Sequence, residues 1–312
     1  MVFRTFDSSD LSACPPDIRD ALRFLRPKPS PWSFVRLGGS TDGAYLVPDA
    51  LDGIVACLSP GVRNSKRFED ELATERGIRS HLLDFSSDLE KFSTPLIKGM
   101  QTFTKKWLGP SSNATTVTMA EWIHKFEADP NDDLMLQIDI EGAEWPILGD
   151  IDVEVLKRFR IIVIELHKLD DIFTNPNLFE TKAVRAFKNL QKIFTVIHAH
   201  PNNCCGTSGS LFGSGIRIPR TLELTMVRTD FLEKALKKGI PRQPELPHPL
   251  DIGRNVPGTP PIFLGNGWRS SKPRLATLLR IASQSLSYEI LWRWKRLIPA
   301  NLYRALKPSR SA

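Results

Sequence analysis

The stretch Gln137-Ile138-Asp139-Ile140-Glu141-Gly142-Ala143-Glu144-Trp145 crowds three carboxylates between the end of an apolar run and the start of a helical pattern. Like charges this close are unfavourable unless a cation, a metal or strong donors offset them. Glu144 also has a purely structural use, since an acid in a first helical turn caps it and complements its dipole. A second concentration of chemistry is Glu165-Leu166-His167 together with His198-Ala199-His200-Pro201-Asn202-Asn203. Histidine at a strand end titrates near neutrality and can act as a base; a hydrogen-bonded loop histidine is the structural alternative for each. A metal site built from His167, His198, His200 and Asp139 lacks HExxH-type spacing, and no metal is expected.

Two further positions bear on what the carboxylates would meet. Ser59-Pro60-Gly61-Val62-Arg63-Asn64 reads as a strand-to-helix turn with a single glycine. A pyrophosphate loop wants GxGxxG, so NAD and FAD are disfavoured. A ligand without phosphate, such as S-adenosylmethionine, needs one close backbone approach, which Gly61 can supply. Asp84 ends the next apolar run, 23 residues on, where an acid accepts the ribose hydroxyls of an adenosine cofactor. Its structural alternative is a solvated or capping aspartate. A sulfonium with its α-amino group is a cation of the kind Asp139, Glu141 and Glu144 require.

These residues need a scaffold that brings strand ends together. From about Ser33 to Arg228, short apolar runs alternate with helical patterns, which predicts a largely parallel, helix-covered sheet. The predicted strands are Ile54–Ser59, His81–Phe85, Thr115–Met119, Leu134–Ile140, Ile161–His167, Thr195–His200 and Leu222–Arg228. Two of them, Leu134–Ile140 and Ile161–Leu166, are apolar almost throughout, as central strands are. Helices are predicted over Asn64–Arg76, with Phe68 and Leu72 at helical spacing, and over Thr181–Lys192, with Val184, Phe187 and Leu190 on one face. Phe34–Val47 reads as a hairpin around Gly38-Gly39-Ser40-Thr41-Asp42-Gly43. Residues 239–267 hold seven prolines and five glycines and read as irregular. Beyond them, Leu275, Leu278, Leu279, Ala282 and Leu286 mark one amphipathic stretch, and Ile290, Leu291, Trp294, Leu297 and Ile298 another, broken by Pro299.

The 312 residues are 41% hydrophobic and 25% charged, an ordinary globular composition that excludes disordered, collagen-like and disulfide-dense chains. Apolar runs are strand-sized, too short to span a membrane, and the polar start, Met1 to Asp10, is not a signal peptide. Cys14, Cys57, Cys204 and Cys205 lack CxxC spacing and fit a reduced, cytoplasmic protein. The net charge of +7 is local: residues 268–312 carry ten Lys/Arg and one acid, while the rest carries 32 bases and 34 acids. With a near-neutral body and an acidic candidate site, nucleic acid is not expected as a partner.

Leu136-Gln-Ile-Asp-Ile-Glu-Gly-Ala-Glu-Trp145 closely resembles the central motif of the FkbM family of S-adenosylmethionine-dependent methyltransferases. Arg36-Leu-Gly-Gly-Ser-Thr-Asp-Gly-Ala-Tyr45, the His198-x-His200-x-Asn202-Asn203 turn and Leu222-Glu-Leu-Thr225 resemble that family too, with Leu246-Pro-His-Pro-Leu-Asp251 as an extension. The resemblance implies an α/β class I methyltransferase fold: a Rossmann-like, mostly parallel sheet with its last strand antiparallel. With the residue reading it divides the chain into a lead-in (1–33), the methyltransferase domain beginning at the hairpin (34–238), the Pro/Gly-rich segment (239–267) and a basic amphipathic helical tail (268–312). It implies O-methylation of a hydroxyl on a sugar, glycolipid or polyketide-like substrate. Carried over, Gly61 and Asp84 would hold the cofactor, and Asp139 and Glu141 would line its methionine end or the transfer site, with Asp139 counted among the cofactor-binding residues. From strand-end placement, His167 is the expected base, Glu141 orients it or the hydroxyl, and His198, His200 and Asn202 contact a polyol substrate. Ser59-Pro60-Gly61-Val62-Arg63 departs from the family's glycine-bearing turn.

Two other functions fit the residues. A sugar-nucleotide-dependent glycosyltransferase would want a DxD pair, which Asp139-Ile-Glu141 matches loosely. A non-catalytic scaffold of the same fold has the Pro60–Arg63 turn in its favour. The tail, through residues 275–307, carries aromatic residues among cations and suits peripheral contact with a membrane face or a partner.

Overall fold

A computed structural model describes residues 11–127, 129–265, 268 and 275–297, of which 288 and 291–297 by backbone alone. Its centre is a seven-stranded sheet of β3 (Ile54–Pro60), β4 (Arg79–Leu83), β5 (Gln101–Thr104), β8 (Asp133–Ile138), β9 (Phe159–Leu166), β10 (Phe194–Thr207) and β11 (Pro219–Arg228). Before it stands the hairpin of β1 (Phe34–Leu37) and β2 (Tyr45–Pro48). A small parallel ladder pairs β6 (Trp107–Leu108) with β7 (Thr116–Val117). The spatial order is β10-β11-β9-β8-β3-β4-β5. Every neighbouring pair from β5 to β9 is parallel, and only β11, wedged between β9 and β10, runs the other way.

Apolar patterning explains the layers. Phe159–Leu166 is buried along its whole length because helices or the hairpin cover both sheet faces. On one face lie the hairpin, α2 (Arg67–Arg76) and α9 (Thr229–Leu236), contributing Tyr45, Val47, Phe68, Leu72 and Leu232. On the other lie α1 (Pro16–Leu25), α3 (Met119–Phe126), α4 (Glu144–Asp150), α5 (Val153–Lys157) and α6 (Leu169–Thr174), together with a continuous run of α7 (Pro176–Leu178), one π-helical turn and α8 (Val184–Ile193). Val184, Phe187 and Leu190 of α8 face that core, as their spacing requires.

The third parallel strand is a correction to the sequence reading. Thr115–Met119 does not enter the main sheet; Gln101–Thr104 does, pairing with β4 from Ser80↔Gln101 to Leu83↔Thr104. An edge strand needs burial on fewer sides, so the half-polar Gln-Thr-Phe-Thr suffices and shows no apolar run. Thr118, inside the β-branched run, instead caps α3 by accepting from Glu121 N at 3.3 Å, and Met119 begins the helix.

Residues 239–264 are irregular, as their prolines predict, and are fastened to the body by Leu246 and Leu264, with Trp268 beyond them. The two predicted tail stretches are one helix, α10 (Leu275–Leu297); Pro299 and the residues after it lie outside the described residues. Cys204 and Cys205 differ from the free thiols expected. They form a disulfide at the register break between Asn202 and Thr207, while Cys14 and Cys57 are free and buried. Among the described residues, no helix is long and apolar enough to cross a membrane.

Candidate functional site

The chain leaves β3 towards β4 on one side and later returns to β8 on the other. The crevice between the C-terminal ends of β3 and β8 is therefore the switch point where open α/β sheets place ligands. Gly61 follows β3 there with φ +92°, and a Cβ on it would fall 1.7 Å from Asp139 O. Glycine is thus demanded by the neighbouring strand as well as by the turn. Arg63 follows in the left-handed region, with its backbone N donating to Asp84 Oδ2 at 2.7 Å. Asp84 Oδ1 accepts from Ser86 N at 2.7 Å and from Ser86 Oγ at 2.6 Å. Both oxygens of this buried carboxylate thus tie the loops after β3 and β4 together.

After β8 the chain turns sharply, with Glu141 at φ +59° and Gly142 at +105°, and enters α4 at Glu144. Glu144 is wholly buried. Its Oε1 accepts from Ile140 N at 3.1 Å, in the turn ahead of the helix, and from His167 Nδ1 at 2.9 Å, so it does not make the side-chain cap read from sequence. His167 follows β9 directly, and its own carbonyl accepts from Trp145 Nε1 at 3.0 Å. Its free Nε2 lies 3.6 Å from Asp139 Oδ1 and 3.5 Å from Glu141 Oε2. Glu144 thus holds the ring, a contact not read from sequence, and Glu141 faces its far nitrogen. Glu141 Oε1 in turn accepts from Arg63 Nη2, an exposed pair that joins the loops after β3 and β8.

Burial opposes the charge on Asp139 and, with Glu141 and Glu144 close by, lifts its carboxyl to about 6, although His167 and Arg63 pull the other way. Burial also disfavours the His167 imidazolium, but the Glu144 hydrogen bond and the charges of Glu144, Asp139 and Glu141 outweigh it and raise the ring's pKa. Two buried oxygens here, Asp139 Oδ1 and Glu144 Oε2, have no hydrogen-bond partner. Asp139, Glu144 and His167 each bring a ligand atom within 4.8 Å of the others. The cluster is thus short of positive charge.

His198 and His200 belong to a different neighbourhood, because β11 separates β10 from β9, whereas Asn202 reaches across β11 to Glu165. All three are buried. His198 Nε2 donates to Asp251 Oδ1 at 2.9 Å, and His200 Nδ1 is 3.6 Å from Asp251 Oδ2. His200 Nε2 donates to Asn255 Oδ1 at 3.0 Å, and Asn255 passes a 2.6 Å hydrogen bond on to Glu223. Asn202 Nδ2 reaches Glu165 Oε1 at 2.9 Å and Asp42 Oδ1 at 3.1 Å. As placed, the histidines fasten residues 251–255, and Asn202 fastens the hairpin turn. Register puts His200, Glu223 and Glu165 side by side across three strands. Burial, with the charges of Asp139, Glu223 and Asp42, pushes the Glu165 carboxyl well above the usual range, and burial lifts Glu223 to about 7. The sequence reading missed Glu223, Asp251 and Asn255 as partners. The legible signal was a glutamate inside the apolar run Leu222–Thr225.

The sheet order, with its single reversed strand next to last in space, is that of a Rossmann-like class I methyltransferase. Residues 61–202, which run from Gly61 through His167 to Asn202, match the model of the methyltransferase FkbM domain. Among solved structures, the chain is similar to methyltransferase CalO6, with 12% identity, 57% of this chain and 58% of that one covered, and a TM-score of 0.28. The chain thus spans less than two thirds of that structure's length. No curated protein matches the chain.

Proposed function

We propose that the protein transfers a methyl group from S-adenosylmethionine to a hydroxyl of a sugar, glycolipid or polyketide-like substrate, with His167 as the base. The observation that carries this is the His167 ring at the switch point, held by buried Glu144 at 2.9 Å and presenting Nε2 to Asp139 and Glu141. Unpartnered Asp139 Oδ1 and the cluster's deficit of positive charge fit a ligand carrying a sulfonium and an ammonium. When bound, that cofactor supplies an electrophilic methyl group.

Asp139 and the Gly61–Arg63 turn would hold the cofactor. Asp84 contributes by fixing that turn, since its oxygens are engaged by Arg63 and Ser86. The cofactor would supply the methyl carbon to the substrate oxygen, its sulfur keeping the electron pair of the bond given up. His167 Nε2 takes the hydroxyl proton, and Glu144 stabilises the resulting imidazolium through Nδ1. Glu141, 3.5 Å from Nε2, is placed to align the hydroxyl. Positioning supplies the rest of the rate, as it does for any in-line displacement.

Calorimetry with S-adenosylmethionine and S-adenosylhomocysteine, followed by transfer of a tritiated methyl to a panel of glycan, glycolipid and polyketide hydroxyls, tests the reading. Binding of both ligands and label on oxygen support it. Binding of a UDP-sugar in their place would assign a glycosyltransferase, and binding of neither a scaffold.

A further inference from the structure

Helix α10 is docked the wrong way round for a globular protein. Thr277, wholly buried, donates to Glu245 Oε1 at 2.7 Å. Arg280 Nη1 donates to Pro247 O at 2.7 Å, and its Nη2 lies 3.3 Å from Glu245 Oε1. Gln284 sits over Gly253, where a Cβ would meet its amide at 2.8 Å. At about 100° per residue these three polar positions share one face of the helix, with half-buried Ile281 among them. The opposite face carries Leu275, Leu278, Leu279, Ala282, Leu286 and Ile290. Leu275 is 71% exposed, Leu279 62% and Leu286 58%. Helices that cover a core turn such a stripe inward; here it is turned to solvent along four helical turns.

The charge of the surrounding sequence says what covers it. Residues 268–312 hold ten Lys/Arg against the single acid Glu289. A second copy of the chain would bring two such cationic segments together, at a Coulombic cost. An anionic lipid surface meets both features: the headgroups attract the cations at ~1 kcal/mol each, and the leucines enter the acyl boundary. No described helix is fit to span a membrane, so this one would lie in the interfacial plane.

We infer that α10 is an interfacial helix that lays its Leu275–Ile290 stripe into an anionic membrane surface while Thr277, Arg280 and Gln284 keep the body attached above it. The test is flotation of the full-length protein with phosphatidylcholine vesicles containing about 30% phosphatidylglycerol at low salt, compared with pure phosphatidylcholine. Anionic vesicles should carry the protein up and neutral ones far less. Leu279→Glu with Leu286→Glu should cut the bound fraction at least ten-fold with little change in Tm, because both side chains are largely exposed. Ser283→Leu, which widens the stripe at an exposed position, should strengthen binding several-fold and serves as the independent variant. Three results would each overturn the inference: no flotation with anionic vesicles, flotation indifferent to the double substitution, or a dimer in solution that the double substitution splits while vesicles are ignored.

Discussion

Glu144 and His167 meet at 2.9 Å across the gap between α4 and the end of β9, and the glutamate is wholly buried while the ring keeps one nitrogen free. A buried carboxylate on Nδ1 fixes the tautomer and leaves Nε2 as the reactive atom, the arrangement that makes an imidazole a directed base. His167→Ala should therefore lower kcat by ~10²–10⁴ while calorimetry still shows cofactor binding. Glu144→Gln should lose much of the same rate with little change in cofactor affinity. Full turnover in His167→Ala would remove the base assignment.

The pH profile of the reaction carries the same geometry. The ring must be neutral to accept a proton, and its pKa lies above the usual histidine value because Glu144, Asp139 and Glu141 outweigh burial. The expected outcome is a kcat/KM that rises with pH through a midpoint above ~6.5. In Glu144→Gln, where one of the raising groups is gone, the midpoint should move to lower pH.

Stability should respond to pH through His200 and Asp251 at the other end of the sheet. The His200 ring, about 9 in the fold against ~6.5 unfolded, gains this from Asp251, Glu223 and Asn255 against the opposing effect of burial. A raised histidine pKa stabilises fully below the unfolded value, and that stabilisation is lost as pH climbs from ~6.5 through about 9. Asp251, held far below the usual carboxylate range, loses its contribution in the other direction, on acidification below ~4. Thermal melting should show Tm falling between pH 6.5 and 9. His200→Gln should lower Tm at pH 6.5 and flatten that slope; an unchanged slope would place the effect elsewhere.

Gly61→Ala tests the close approach of β3 to β8. A left-handed φ costs ~1–2 kcal/mol for an alanine, and the Cβ would also land on Asp139 O, so a loss of at least ~2 kcal/mol is expected in urea unfolding. Cofactor affinity should fall with it, because Asp139 must shift.

Arg63→Ala should do the opposite. Its pair with Glu141 is exposed on both sides and worth under ~1 kcal/mol, so the melting curve should barely move. Removing a cation beside Asp139 and Glu141 should tighten binding of the cationic cofactor several-fold at low salt, and the gain should shrink as salt is added. Weaker binding would show that Arg63 itself holds the ligand.

Local pattern alone was enough for the apolar strands β3, β8 and β9, the helix of Val184, Phe187 and Leu190, and the grouping of Gly61, Asp139, Glu141 and His167 at strand ends. Each is a matter of periodicity or of a few adjacent residues, which the chain carries wherever it folds. Partner choice was decided only by tertiary structure. Glu144 reads from sequence as a helix cap because the cap is a contact three or four residues long, whereas its bond to His167 spans 23 residues and exists only once α4 docks beside β9. In the same way, His198 and His200 look like an open polar site until β11 inserts between β10 and β9 and residues 251–255 close over them. The orientation of α10 was open as well. Its sequence marks an apolar stripe and a polar stripe, and only the contacts of Thr277 and Arg280 decide that the polar one faces the protein.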